Sequence, residues 1–179
     1  MKSATLAPAS GLRRMAQADV LRVLSWRNHP EVRRYMYTQQ EIAEADHRRW
    51  FEAASQDALR HLLIFEVHGE PLGYVNLTET LHGRFADWGF YLAPNAARGT
   101  GSQLGAAVLG YAFDTLGLHK LCGEVLGFNE RSAQFHEKLG FLKEGVLRQQ
   151  HFDGNSYHDV IRYGLLAAEW MATRSKANV

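Results

Sequence analysis

At 179 residues and 46% hydrophobic, the chain has enough apolar content for one domain with a true core, and its length argues against two. A formal charge of +1, from 20 basic and 19 acidic residues spread along the sequence, gives no electrostatic footprint for nucleic acid. The single cysteine, Cys122, excludes an intramolecular disulfide and a multi-cysteine zinc site and fits a reducing cytoplasm.

Residues 1–10 are small and polar with Pro8, which predicts a flexible tail ahead of a single domain over 11–179. The opening lacks the apolar core of a signal peptide, and no window is apolar over a membrane-spanning length. A cytoplasmic protein without a membrane partner is therefore expected. From Asp19, the spacing of Val20, Leu21, Leu24 and Trp26 predicts a short helix that the His29-Pro30 step ends. A second helix is predicted over 43–56, with Trp50, Phe51 and Ala54 on one face.

The period then changes. "HLLIFEVHGEPLGYVNLTE" reads as two strands around a turn, and "RFADWGFYL" as a third after the His82-Gly83 turn. Leu104, Val108, Leu109, Ala112 and Leu116 give a helical stripe over 102–116. "KLCGEVL" is a strand and "ERSAQFHEKLG" a helix closed by Gly140. "FLKEGVLRQQHFDGNSYHDVIRYGLL" is an antiparallel pair turning at 153–155. This order predicts an α+β fold with a mixed, mostly antiparallel central sheet and helices on both faces.

Between the third strand and the next helix lies "NAARGTGSQLG". Gly99 and Gly101, with Ser102 at the expected N-cap, would present free backbone N–H groups and a helix dipole to an anion; the plain alternative is a glycine-rich turn. No Gly-Lys-Ser/Thr follows, so it is not a Walker loop, and the meander before it does not fit a Rossmann fingerprint.

In this context "AARGTG", residues 96–101, resembles the pyrophosphate-binding segment Gln/Arg-x-x-Gly-x-Gly/Ala of the GNAT acyltransferases, with Ala at the first position. "NERSAQFHEKLGF" resembles the same family's Asn-x-x-Ser…Lys-x-Gly-Phe segment. The resemblance implies a GNAT fold and acetyl-CoA as co-substrate, with Arg98, Gly99, Thr100, Gly101 and Ser102 at the pyrophosphate. It also implies pantetheine contacts from Asn129 and Ser132, and backbone N–H groups near Phe90, Tyr91 and Leu92 at the thioester. Asn129 could equally cap the following helix.

A narrower resemblance runs through "WRNHPEVRRYMY", "EADHRRWFE", "DWGFYLAP" and "LHKLCGEVLGFN". These segments are similar to the PseH subgroup, which implies a nucleotide-sugar acceptor, UDP-4-amino-4,6-dideoxy-N-acetyl-β-L-altrosamine, acetylated at its 4-amino group in pseudaminic acid biosynthesis for flagellin glycosylation. Relatives that acetylate ribosomal-protein N-termini or polyamines share part of the pattern. A non-catalytic acyl-CoA or nucleotide-sugar binding module is the rival from another class.

Acetyl transfer needs a neutral amine, a polarised carbonyl and a proton for the leaving thiolate. Glu124, a carboxylate within an apolar strand, is the candidate base, against the plain reading of an outward strand residue. His136, twelve positions later, stands where many GNAT enzymes carry a tyrosine, so the resemblance implies a general acid; packing on its helix face is the alternative. Asn76 is a weaker candidate for positioning water. Arg27, Asn28, Arg33, Met36, Tyr37 and His47 mix cations, donors and apolar surface suited to a nucleotide sugar, or else form a solvated helix face. Cys122 reads as a small buried hydrophobe rather than an acyl carrier. The nine histidines show no HExxH or comparable spacing, so no metal is expected; a homodimer is compatible with the sequence.

Overall fold

The uninterrupted apolar run Leu62 to Phe65 forms the middle of a strand buried on both faces, as a central strand must be. The computed structural model describes residues 10–177. Strands β1 (Ser10–Arg14), β2 (Arg60–Val67), β3 (Glu70–Glu79), β4 (Phe85–Leu92), β5 (Lys120–Leu126), β6 (Leu142–Phe152) and β7 (Tyr157–Leu166) form one seven-stranded sheet in the order β1-β2-β3-β4-β5-β7-β6. Every neighbouring pair is antiparallel except β4 with β5.

Helices α1 (Val20–Asn28), α2 (Pro30–Arg33) and α3 (Glu44–Gln56) precede β2. α4 (Thr100–Gly110) continues into a π-helical turn over Tyr111–Thr115; α5 (Glu130–Lys138) and α6 (Ala167–Ala177) follow. Two apolar cores result. One unites Leu63, Val75, Trp88 and Leu121 of the sheet with Leu104 and Val108 of α4 and Trp170 of α6. The other packs Val20, Val23 and Trp26 of α1 and Phe51 of α3 on Leu62, Ile64 and Tyr74. At about 25 cal/mol per Å² of apolar surface removed from water, these two faces supply most of the drive for folding.

Local chemistry sets the ends of the elements. His29 is extended (φ −61°, ψ 133°), as a residue before proline prefers, and this closes α1. Its ring then accepts a hydrogen bond from the Glu31 N–H, and Pro30 opens α2. Gly99, at φ +97°, is the N-cap of α4, so Ser102 lies inside the first turn rather than at the cap. The tail expected over 1–10 is corrected at its end: Ser10 already pairs with Val67, and residues 1–9 lie outside the described residues. The terminal pair β6 and β7 matches the expected hairpin, whereas β1, α2 and α6 were not anticipated. Among the described residues, no helix is long and apolar enough to cross a membrane.

Gly123 of β5 is required by its surroundings. A Cβ there would lie 2.6 Å from His136 Nε2 and 2.8 Å from Trp88 Nε1, both on rigid rings. Gly123→Ala should therefore lower unfolding free energy by about 1–3 kcal/mol through overpacking, read as a lower urea midpoint; an unchanged midpoint would show that the rings move aside freely.

Candidate active site

β4 and β5 pair only from Phe85↔Lys120 to Trp88↔Gly123. Beyond that point they part, and residues 89–92 and 124–126 wall a cavity of about 710 Å³. Because β4 is still paired with β3 on its other side, alternate backbone groups of its inner edge face this gap without a strand partner. Phe90, Tyr91 and Leu92 line it from β4, Gly101 from the glycine loop, and Asn129, Ser132 and Phe135 from α5. Tyr35, Met36 and Tyr37 close the far end with Glu31, Asp87, Glu124 and Arg162.

The loop end has the features of an anion cradle. Among the described residues no backbone carbonyl outside the helix accepts from the Gly99 or Gly101 N–H, while Ser102 N–H is spent on Gly99 O at 3.0 Å. Nothing lies within 4 Å of a Cβ built at Gly99, so the approach to its backbone is open. Arg98 is exposed beside it, and Thr100 is buried. The positive end of α4 points here, favouring negative charge. Asn129 caps α5: its side-chain oxygen accepts from Ser132 N–H at 3.2 Å, which leaves its amide NH₂ free for a ligand.

At the acceptor end, strand alternation and register put Asp87, Cys122, Glu124 and Arg162 on one face. Arg162 donates to Glu124 Oε1 at 2.8 Å and lies 3.1 Å from Asp87 Oδ1. Tyr37 donates its hydroxyl to Glu124 Oε2 at 2.6 Å. Burial, followed by the hydrogen bond and charge of Glu124, raises the Tyr37 phenol well above its ordinary range. For Arg162, burial works against the charge, but Glu124 and Asp87 outweigh it and the guanidinium is held more firmly protonated. Burial likewise pushes the Cys122 thiol up, which makes it less reactive. Asp87 and Arg162 escaped the sequence reading because their meeting depends on β5 lying between β4 and β7. The signal available was the alternation that puts Asp87 two residues from Gly89 on the cavity face.

His136 sits at the cavity wall but is only 2% exposed. Its Nε2 accepts from the Trp88 indole N–H at 3.2 Å, so its proton resides on Nδ1, which donates to Ser132 O at 2.8 Å. Trp88, Phe90, Phe135, Phe141 and Tyr163 surround the ring, and burial lowers its pKa. Both ring nitrogens of the residue expected as proton donor are thus engaged within the fold.

Several other expected site residues serve the fold. Arg27 donates to Thr38 O at 2.7 Å, Asn28 exchanges two 2.9 Å hydrogen bonds with the Ile42 backbone, and Arg33 pairs with Glu41 at 3.0 Å. None of the three lines the cavity; together they pin residues 34–43, which carry Met36 and Tyr37 into it. His47 is 4% exposed, stacks on Trp50 and has its pKa lowered by burial. Asn76 donates to Thr78 Oγ1 at 3.2 Å and stands outside the lining.

A strand pair parted around a cavity, with a glycine loop and helix N-terminus at one end and a carboxylate at the other, fits the model for the acetyltransferase (GNAT) domain, which matches residues 11–142. The chain belongs to the GNAT acetyltransferase family. It is an N-acetyltransferase with the fold expected of that family. It is 26% identical to the spermidine N(1)-acetyltransferase of Escherichia coli K12 over 163 residues, 90% of this chain and 88% of that protein. It is 25% identical to acetyltransferase PseH of Campylobacter jejuni over 122 residues, 66% of this chain and 74% of that one. The crystal structure of Vibrio cholerae spermidine N-acetyltransferase in complex with CoA and spermine superposes with a TM-score of 0.85 at 23% identity, covering 91% of this chain and 98% of that one.

Two buried neutral histidines link stability of this acetyltransferase to pH. Unfolded, His136 and His47 take up protons near 6.5; folded, burial delays uptake to lower pH. Their stabilising contribution is complete above that value and is lost as pH falls from it toward the folded pKa, at up to about 1.4 kcal/mol per pH unit per histidine. Denaturant midpoints should therefore drop between about pH 7.5 and about pH 5.5, and His136→Gln should make the drop shallower. An equal slope in the variant would show that His136 takes up its proton as readily folded as unfolded.

Proposed function

We propose that this enzyme transfers the acetyl group of acetyl-CoA directly to a primary amine of a small, multiply cationic acceptor of the polyamine class. The observation that carries this reading is the charge at the acceptor end. Three carboxylates, Glu31, Asp87 and Glu124, line the cavity; Arg162 pairs with Asp87 and Glu124 and Arg34 with Glu31 at 3.4 Å, which leaves Arg131 of α5, among the described residues, as the one lining cation outside these pairs. A nucleotide diphosphate would need guanidinium groups that reach the cavity to bind it bidentately, and neither Arg27, which donates to Thr38 O, nor Arg33, which pairs with Glu41, lines it. The extended match to spermidine acetyltransferases supports the same choice.

In this reading, Gly99 and Gly101 N–H, with Arg98 and Arg131 nearby, hold the CoA phosphates at the N-terminus of α4. The edge of β4 at Phe90 to Leu92 and the Asn129 amide hold the pantetheine arm, and a β4 backbone N–H polarises the thioester carbonyl. Glu124 orients the ammonium and takes its proton; the amine nitrogen then forms the bond to the acetyl carbon as the C–S bond breaks, and the N–H proton that the acylated nitrogen loses passes to the departing thiolate, giving the amide and CoASH. His136 positions Trp88 and α5 rather than donating a proton.

The second reading, the UDP-linked amino sugar, is favoured by the PseH relatives and by Tyr35 and Met36 at the mouth, which suit a base and a deoxysugar methyl. Mass spectrometry with acetyl-CoA and equal concentrations of spermidine, the UDP-linked amino sugar and a short peptide with a free N-terminus separates them. Acetylspermidine should dominate, by about 10-fold or more in kcat/KM, and its KM should rise with salt because the attraction is electrostatic. Exclusive acetylation of the sugar would replace the polyamine reading. Acetyl-CoA binding without turnover of any amine would leave only a binding module. Glu124→Gln should lower kcat by about 100-fold or more while acetyl-CoA affinity changes little.

A further inference from the structure

Both oxygens of Glu124 are occupied, one by Arg162 and the other by Tyr37 at 2.6 Å. The carboxylate oxygen free of the guanidinium thus carries the phenol hydroxyl, and Tyr37 and Glu124 both line the cavity. Tyr37 is not loosely placed. Its segment is tied to α1 and α2 through Thr38 O, Glu41 and the Ile42 backbone, and its ring packs edge-on against buried His151 of β6, with centroids 5.2 Å apart. A phenolic oxygen that donates its proton to a carboxylate keeps lone pairs that accept another hydrogen bond.

We propose that Tyr37 is a catalytic residue that relays the acceptor's proton to Glu124. This step rests on the amine-acetylation reading above but not on which amine is used. The ammonium N–H bond breaks and a new O–H bond forms on Tyr37, while the original Tyr37 proton passes to Glu124 Oε2. The nitrogen keeps the electron pair with which it attacks, and one positive and one negative charge are cancelled together. The phenol is unchanged afterwards. Because its acidity is suppressed by burial and by Glu124, it works as a neutral O–H over the whole working range and not as a phenolate base.

The test is Tyr37→Phe, which keeps the ring against His151 and removes only the hydroxyl. With spermidine and acetyl-CoA, kcat/KM for the acceptor should fall about 30- to 300-fold near pH 7, with KM for acetyl-CoA and the denaturant midpoint unchanged. The deficit should shrink to within about 3-fold near pH 10.5, where free-base amine is abundant and needs no relay. The double variant with Glu124→Gln should be no worse than Glu124→Gln alone, since the two act as one path. A deficit that is constant with pH, confined to KM, or multiplicative in the double variant would overturn the relay. If spermidine is inert but the UDP-linked amino sugar or the peptide is acetylated, the polyamine reading fails while the relay is judged by the same comparison on that amine. If none is acetylated, both fail.

Discussion

The site depends on where the parallel pairing of β4 and β5 stops. A strand pair that parts mid-sheet leaves backbone N–H and C=O groups without partners, a cost of about 1–3 kcal/mol for each group buried unmade. Here the parting edge of β4 borders a cavity, so solvent or an extended ligand can supply the missing bonds. The separation is held by a wedge of rings. Trp88 stacks on Phe90 and Phe141, Phe135 enters from α5, and His136 ties the Trp88 indole to Ser132 O. Gly123 makes room for that bond at the last paired position. The last rung of the ladder and the wedge that ends it are thus one structural unit.

The charges at the other end do a different kind of work. Arg162 and Glu124 are 30% and 35% exposed along their side chains, so their pairing contributes at most about 1 kcal/mol to stability. Its value is geometric. Arg162 of β7 lies directly opposite Glu124 of β5 and fixes one carboxylate oxygen, while Tyr37 fixes the other from a different layer of the fold. The α1–α2 residues with the strongest nucleotide-binding character act one step further back, holding the segment that delivers Tyr37.

These differences show which parts of the site were legible in the sequence. The glycine loop, the Asn129 helix and Glu124 were readable because each is a local pattern: a positive-φ cap, an N-cap residue, a carboxylate among apolar strand residues. Arg27, Asn28 and Arg33 were misplaced because residue type does not reveal a partner. A guanidinium that donates to a backbone carbonyl eleven residues on looks, in sequence, like one awaiting a phosphate. β1 was missed because SGLRR has no alternation; it is defined by pairing with β2, a contact 53 residues distant at Arg13 and Glu66. α6 was missed because the sequence reading stops at Leu166, the end of the last strand, and α6 follows directly with no turn or breaker residue to mark its start.

His136 shows how environment overrides position. A histidine in open solvent near neutral pH exchanges protons readily, and its place in the family pattern invited that role. Inside five aromatic rings the charged form is penalised, and the two hydrogen bonds that satisfy the neutral ring require one tautomer: Nε2 accepting, Nδ1 donating. Protonation of Nε2 would place two N–H donors head to head against Trp88. The same contacts make His136 a brace for the wedge, which is the role the proposed mechanism gives it. The proposed mechanism accordingly gives the proton-accepting role to the cavity's carboxylates, Glu124 foremost. In the proposed reaction the acid–base chemistry consequently belongs to the half of the cavity that binds the amine, and the wedge end contributes shape and backbone polarity.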